Sequence, residues 1–160
     1  MTLASATRDA QSATTGAARA LPRAAVERLL RDVQADLADY AELQELLEQQ
    51  FASALRHDAQ AMESVAAGIV AVVDRIDARR QFRYGLLTRL QGGGVPTVPA
   101  LVALWPAAQR AGVQALWDQL EQAVHDCKAR NLRNARLLTE QHVLLTRVLH
   151  GTEDPLYADA

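Results

Sequence analysis

Residues 106–150, PAAQRAGVQALWDQLEQAVHDCKARNLRNARLLTEQHVLLTRVLH, decide the fold. Val113, Leu116, Leu120, Val124, Cys127, Asn131, Asn134, Leu138, Gln141, Leu145 and Val148 recur at intervals of three and four, which places them on one stripe of a helix. Pro106 opens this segment and Gly151 stops it, so at 1.5 Å per residue it forms one helix roughly 60 Å long. The stripe is narrow and points to coiled-coil packing against another helix. Two of its members are asparagines, where apolar side chains would contribute more packing.

The rest of the chain supplies partners for that helix. From Pro22 a second stripe runs through Val26, Leu30, Val33, Leu37, Tyr40, Gln44, Leu47, Phe51 and Ala54. His57-Asp58 interrupts it, with Asp58 suited to an N-cap, and a third stripe follows through Met62, Val65, Ile69, Val72, Ile76, Leu86 and Leu90. A turn at Arg56 to Asp58 predicts an antiparallel hairpin with Phe51 opposite Met62, Leu47 opposite Val65, Leu37 opposite Ile76 and Val26 opposite Leu87. In that register Leu30 and Val33 face Arg79, Arg80 and Arg83, whose stems would lie on the seam with their charges on Asp32 and Asp36. Gly92-Gly93-Gly94 ends the second helix. Three prolines between Val95 and Pro106 predict a linker over 92–105 with at most a short turn around Pro99 to Leu104, anchored by Trp105 and Trp117.

The expected architecture is therefore all-α: an antiparallel coiled-coil hairpin with a long C-terminal helix packed on it. Helices cover about 22–56, 58–91 and 106–150 in a single domain. Residues 1–21, rich in Ala, Ser and Thr without apolar period, are expected to form a disordered arm, and 151–160 a short acidic tail.

Composition narrows function by exclusion. Seventeen basic against nineteen acidic residues leave a formal charge of -2, so no global field draws nucleic acid or an anionic membrane. No run reaches the roughly 20 apolar residues a bilayer span requires. The single cysteine, Cys127, and an N-terminus lacking a secretory core suggest the cytosol. His57, His125, His142 and His150 share no spacing that would aim two at one ion, and no Lys-Ser or Lys-Thr follows the glycine run to make a phosphate loop. Neither a metal, a cofactor nor a catalytic group is expected. Cys127, on the seam, reads as a small buried hydrophobe.

Trp117, the run Asn131-Leu132-Arg133-Asn134-Ala135-Arg136-Leu137-Leu138 and the tail Pro155-Leu156-Tyr157-Ala158-Asp159 together resemble the FlgN family of flagellar export chaperones. The family's tails commonly read Tyr-Gly-Ala-Asp-Gly, whereas Ala158 follows Tyr157 directly here. The resemblance implies a cytosolic type III export chaperone that is not an enzyme. Such a chaperone holds the C-terminal helical segments of the hook-filament junction proteins, prevents their premature association and delivers them to the export gate. Asn131, Asn134, Leu137, Leu138, Gln141 and Leu145 would then bind the client, and Leu156 and Tyr157 would dock on the cytoplasmic domain of the gate. Read from the residues, two alternatives stay open at the asparagines: hydrogen bonds to a neighbouring helix of the same molecule, or to the client. A self-associating structural coiled coil without a secretion client is the rival function.

Overall fold

The computed structural model describes residues 22–90, 95 and 97–150. The expected arm over 1–21, the glycine run and the tail carrying Leu156 and Tyr157 lie outside the described residues. Among the described residues four helices form: α1 (Arg23–Leu55), α2 (Ala59–Leu90), α3 (Val98–Ala103) and α4 (Ala107–His150). The protein is all-α. The three long helices begin and end within one residue or so of the bounds their stripes predict.

Local chemistry explains the breaks. Pro22 sits at the N-cap of α1, and its carbonyl accepts from the amides of Ala25 at 2.8 Å and Val26 at 3.2 Å. The helix stops because His57 turns left-handed, with φ 53°. The amide of Asp58 then donates to the Ser53 carbonyl (3.0 Å) and that of His57 to Ala54 (3.1 Å), a Schellman closure of the last turn. Asp58 next caps α2, its carboxylate accepting from the Ala61 amide at 3.0 Å. The linker holds α3, capped by the Thr97 hydroxyl oxygen accepting from Ala100 at 3.4 Å. This short helix drives Leu101 and Trp105 into a cluster with Leu29 and Leu87, which closes one end of the molecule.

α1 is the shared element, packing against α2 and against α4. Its buried residues Leu29, Val33, Asp36, Leu43, Leu47 and Ala54 form one heptad-like stripe. Midway along, Leu43 and Leu47 meet Val72 and Ile76 of α2 and Cys127 of α4, with Tyr40 and Ile69 against them. Burying each of these aliphatic side chains contributes about 1.5–3 kcal/mol.

The hairpin register differs from the expected one. Asp36 reaches Arg79 and Asp39 reaches Arg75, so Ile76 joins the Tyr40–Leu43 layer and does not pair with Leu37. The register follows a buried charge cluster. Asp36 is fully buried, with Arg79 Nε and Arg83 Nη1 each 2.5 Å from its carboxylate oxygens. The Arg83 contact is a Coulombic one, since neither Arg83 Nη1 nor Asp36 Oδ2 has a well-directed hydrogen bond. Asp39 accepts from Arg75 at 2.8 Å and also binds Arg79, while Glu42 takes the second bond from Arg75 at 2.6 Å. Two expected participants stand apart. Arg80 turns outward to Asp77 at 2.7 Å, and Asp32 lies 3.9 Å from Arg28 of its own helix. The Phe82 ring lies under Arg28, 3.6 Å from centroid to guanidinium carbon. A slip that took Asp36 away from Arg79 and Arg83 would leave a buried carboxylate unpaired, a cost of several kcal/mol that apolar pairing alone would not impose.

Two predictions follow from these contacts. His57→Gly removes the left-handed strain of a side-chain-bearing residue and should raise stability by up to about 1 kcal/mol in chemical denaturation; a loss would contradict the Schellman assignment. At Asp39, burial raises the carboxyl pKa but the hydrogen bonds from Arg75 and Arg79 outweigh it, leaving the group below its ordinary value. A depressed carboxylate stabilises the fold above the unfolded value, about 4, and that contribution disappears as pH falls through the folded value. Asp39→Asn should therefore lower the urea midpoint at pH 7 and approach the parent chain once the pH has fallen below the folded value; a gap that stays constant with pH would refute this.

Candidate functional site

α4 lies parallel to α1, held by a ladder of side chains on backbone carbonyls. The Cys127 thiol donates to the Tyr40 carbonyl at 3.6 Å, the Asn134 amide to Leu47 at 2.7 Å and the Gln141 amide to Ala54 at 2.8 Å. Each pair is separated by 87 residues, and the rungs are one heptad apart. One constant offset over three rungs fixes direction and register together.

Asn134 is the centre of this ladder. It is buried to 2% exposure, donates a second bond to Gln50 Oε1 at 2.9 Å, and its own oxygen accepts from Arg133 at 3.3 Å. Arg130 and Arg133 converge on Glu48 at 2.9 and 3.0 Å, and Arg133 stacks on Phe51 with 3.9 Å to the ring centroid. The hydrogen bond from Arg133 is the chief reason the Glu48 carboxyl lies below its usual range. Asn134 therefore uses its hydrogen-bonding capacity inside the molecule. Asn131 does not share that position and is exposed.

The two asparagines separate because the buried seam fills the places between the rungs one residue earlier than expected. After Cys127 it passes through Arg130, Asn134, Leu137 and Gln141, where the sequence spacing predicts Asn131 and Leu138. The rungs themselves stay one heptad apart, so the difference is only in which flank of the helix fills the places between them. The long stem of Arg130 fills the shifted position and still carries its charge out to Glu48. Leu137 is consequently half-buried and Leu138 is 36% exposed.

Beyond Gln141 α4 has no neighbour among the described residues. Ala54, the last rung on α1, lies one residue before that helix ends, and the chain there reverses into α2. Residues 142–150 therefore project past the hairpin turn by about 13 Å. Every one of them is exposed, including Leu144 (59%), Leu145 (56%), Val148 (79%) and Leu149 (77%). This apolar helix end has no partner among the described residues, and contiguous exposed apolar surface marks an interaction site. Of the site residues expected from sequence, Leu138, Gln141 and Leu145 lead onto this projection, Asn131 and Leu137 flank its base, and Asn134 lies beneath it in the α1 interface. Leu144, Val148 and Leu149 were not among the expected site residues. Finding them requires the parallel offset of α4 on α1, which periodicity cannot supply.

Other features offer less. At the opposite end a groove of about 730 Å³ opens between Val26, Leu30, Leu104 and Trp105. Its cations are engaged: Arg110 donates to the carbonyls of Trp105 and Ala103, and Arg23 to Glu27. Burial pushes the Cys127 thiol above its usual pKa, the reverse of what a nucleophile needs. Among the described residues no three metal-ligating side chains gather, and no helix is long and apolar enough to cross a membrane.

The surface is thus a polar-pinned seam that runs out into an unpartnered apolar helix end. No curated protein and no solved structure matches the chain. The family model described as FlgN protein matches residues 25–150, from the first turn of α1 to the last residue of the projecting end of α4. The chain belongs to the FlgN family of flagellar export chaperones, a chaperone family and not an enzyme family, whose members bind export substrates of the type III flagellar pathway.

Proposed function

We propose that the chain captures the C-terminal helical segments of hook-filament junction proteins on the projecting end of α4, in the cytoplasm, before their export. The exposed, unpartnered apolar stretch of residues 142–150 carries this reading. An amphipathic client segment laid along Leu138, Leu145, Val148 and Leu149 would bury apolar surface on both sides and continue the packing that α1 gives up at Leu55. Asn131 and Gln141 offer polar contacts at the base of that surface, and Leu137 borders it. Asn134 acts one step removed, by holding α4 in the register that leaves its end free. Leu156 and Tyr157, a few residues beyond His150, are the proposed dock for the export gate, which brings the loaded chaperone to the secretion apparatus.

The same exposed leucines would suit a second copy of this chain, the reading of a structural coiled coil without a client. Titrating the full-length protein with the isolated C-terminal segments, with native mass for stoichiometry, separates the two. One-to-one binding with a negative heat-capacity change supports the chaperone reading. An obligate oligomer that ignores both segments supports the other.

Variants divide the roles. Leu145→Asp/Leu149→Asp should weaken client binding on the order of 30-fold or more, with the melting temperature nearly unchanged because both positions are exposed. Asn134→Ala should instead lower stability by about 1–3 kcal/mol, since it strips the buried amide bonds to Leu47 and Gln50. Client affinity unaltered by the leucine pair would sink the assignment.

A further inference from the structure

The face of α4 opposite the seam carries a second apolar and cationic surface. Leu132, Arg136, Val143 and Arg147 share that side at helical spacing, with Leu144 on its flank. Leu132 is 54%, Val143 41% and Leu144 59% exposed. Between Leu132 and Phe51 of α1 the face deepens into a groove of about 410 Å³. The surrounding charge is one-sided: from Cys127 to His150 the sequence has five Lys or Arg and a single acid, Glu140. Arg130 and Arg133 share Glu48, whereas Arg136 and Arg147 take part in no ion pair among the described residues.

The segment that follows α4 has the complementary chemistry. Residues 151–160, GTEDPLYADA, contain Glu153, Asp154 and Asp159, no cation, and the apolar pair Leu156-Tyr157. We propose that this tail folds back along α4 and docks on the face opposite the seam. Glu153 and Asp154 then meet Arg147, Leu156 and Tyr157 cover Val143 and Leu144, and Asp159 reaches Arg136. Chain length permits it. Ten residues span at most about 35 Å, and with roughly three spent on reversal the aromatic still reaches one to two turns back from His150. The seam-side leucines proposed for the client carry no such cations, so charge selects the opposite face. Docked this way the tail shelters Tyr157 without covering the client surface, and a partner that takes Tyr157 must first compete with α4. The proposal requires neither client nor gate.

Backbone ¹⁵N relaxation and amide exchange of residues 152–160, measured in the full-length chain without partners, test it. The expected result is a tail whose amide exchange is slowed on the order of five-fold relative to Arg136→Glu/Arg147→Glu. Adding Glu153→Arg/Asp159→Arg to that variant should restore the protection. Three results would overturn the proposal: an unprotected tail in the parent chain, protection that survives the charge reversal, or protection that rises with protein concentration, which would place the tail on a second copy. Loss of protection in Leu145→Asp with retention in Arg136→Glu/Arg147→Glu would move the tail to the client face and refute the face assigned here.

Discussion

Leu55 ends α1, and because both other long helices pack on α1, that one terminus determines what the rest of the molecule leaves open. Up to Ala54, α4 has a neighbour at each heptad. Past it the neighbour has turned away through the left-handed His57, and α4 continues to His150 with none among the described residues. The free end follows from two lengths and one offset: a helix of 44 residues laid parallel on one of 33, starting near the same end. α3 and its Trp105 complete the closed end, where Leu29 and Leu87 are capped by Leu101, so the bundle is sealed at one pole and open at the other.

Polar groups in the seams specify this arrangement more than they stabilise it. Apolar stripes of Leu, Val and Ile tolerate slippage, since one aliphatic layer resembles the next. Asp36 tolerates none, because its buried carboxylate requires both Arg79 and Arg83. Asn134 does the same for α4, since a shift of a single residue removes its amide from the Leu47 carbonyl and Gln50. One buried polar device per interface thus holds each of the two long packings in a single register.

Periodicity and capping signals made much of this architecture legible in advance. The Asp58 cap, the Pro22 start and the burial of Cys127 could be read from residue type and spacing, and so could the three long helices. What was lost was relative placement. The hairpin was read by matching apolar to apolar, which favoured Leu37 against Ile76, while the actual register is set by Asp36 finding two arginines. Heptad spacing on α4 fits either Asn131 and Leu138 or Arg130 and Leu137 between the same rungs, and only the packing on α1 selects the second pair. The full extent of the apolar end, with Leu144, Val148 and Leu149, depends on the 87-residue offset between parallel helices, a long-range quantity with no local signature. The paired asparagines had been read as equivalent, and tertiary packing makes one a pin and leaves the other on the surface.

The central claim is that α4 is anchored to α1 as far as Gln141 and that its seam-side face stays open beyond it until a client arrives. Residue-resolved hydrogen exchange of the full-length protein, with and without a saturating C-terminal junction-protein segment, addresses this most directly. The account predicts slow exchange from Val113 to Asn134 in both states, and faster exchange over residues 142–150 in the free chain that slows further when the client binds. Exchange over 142–150 that the client leaves unchanged, or client-induced protection confined to the α1–α4 seam, would contradict it.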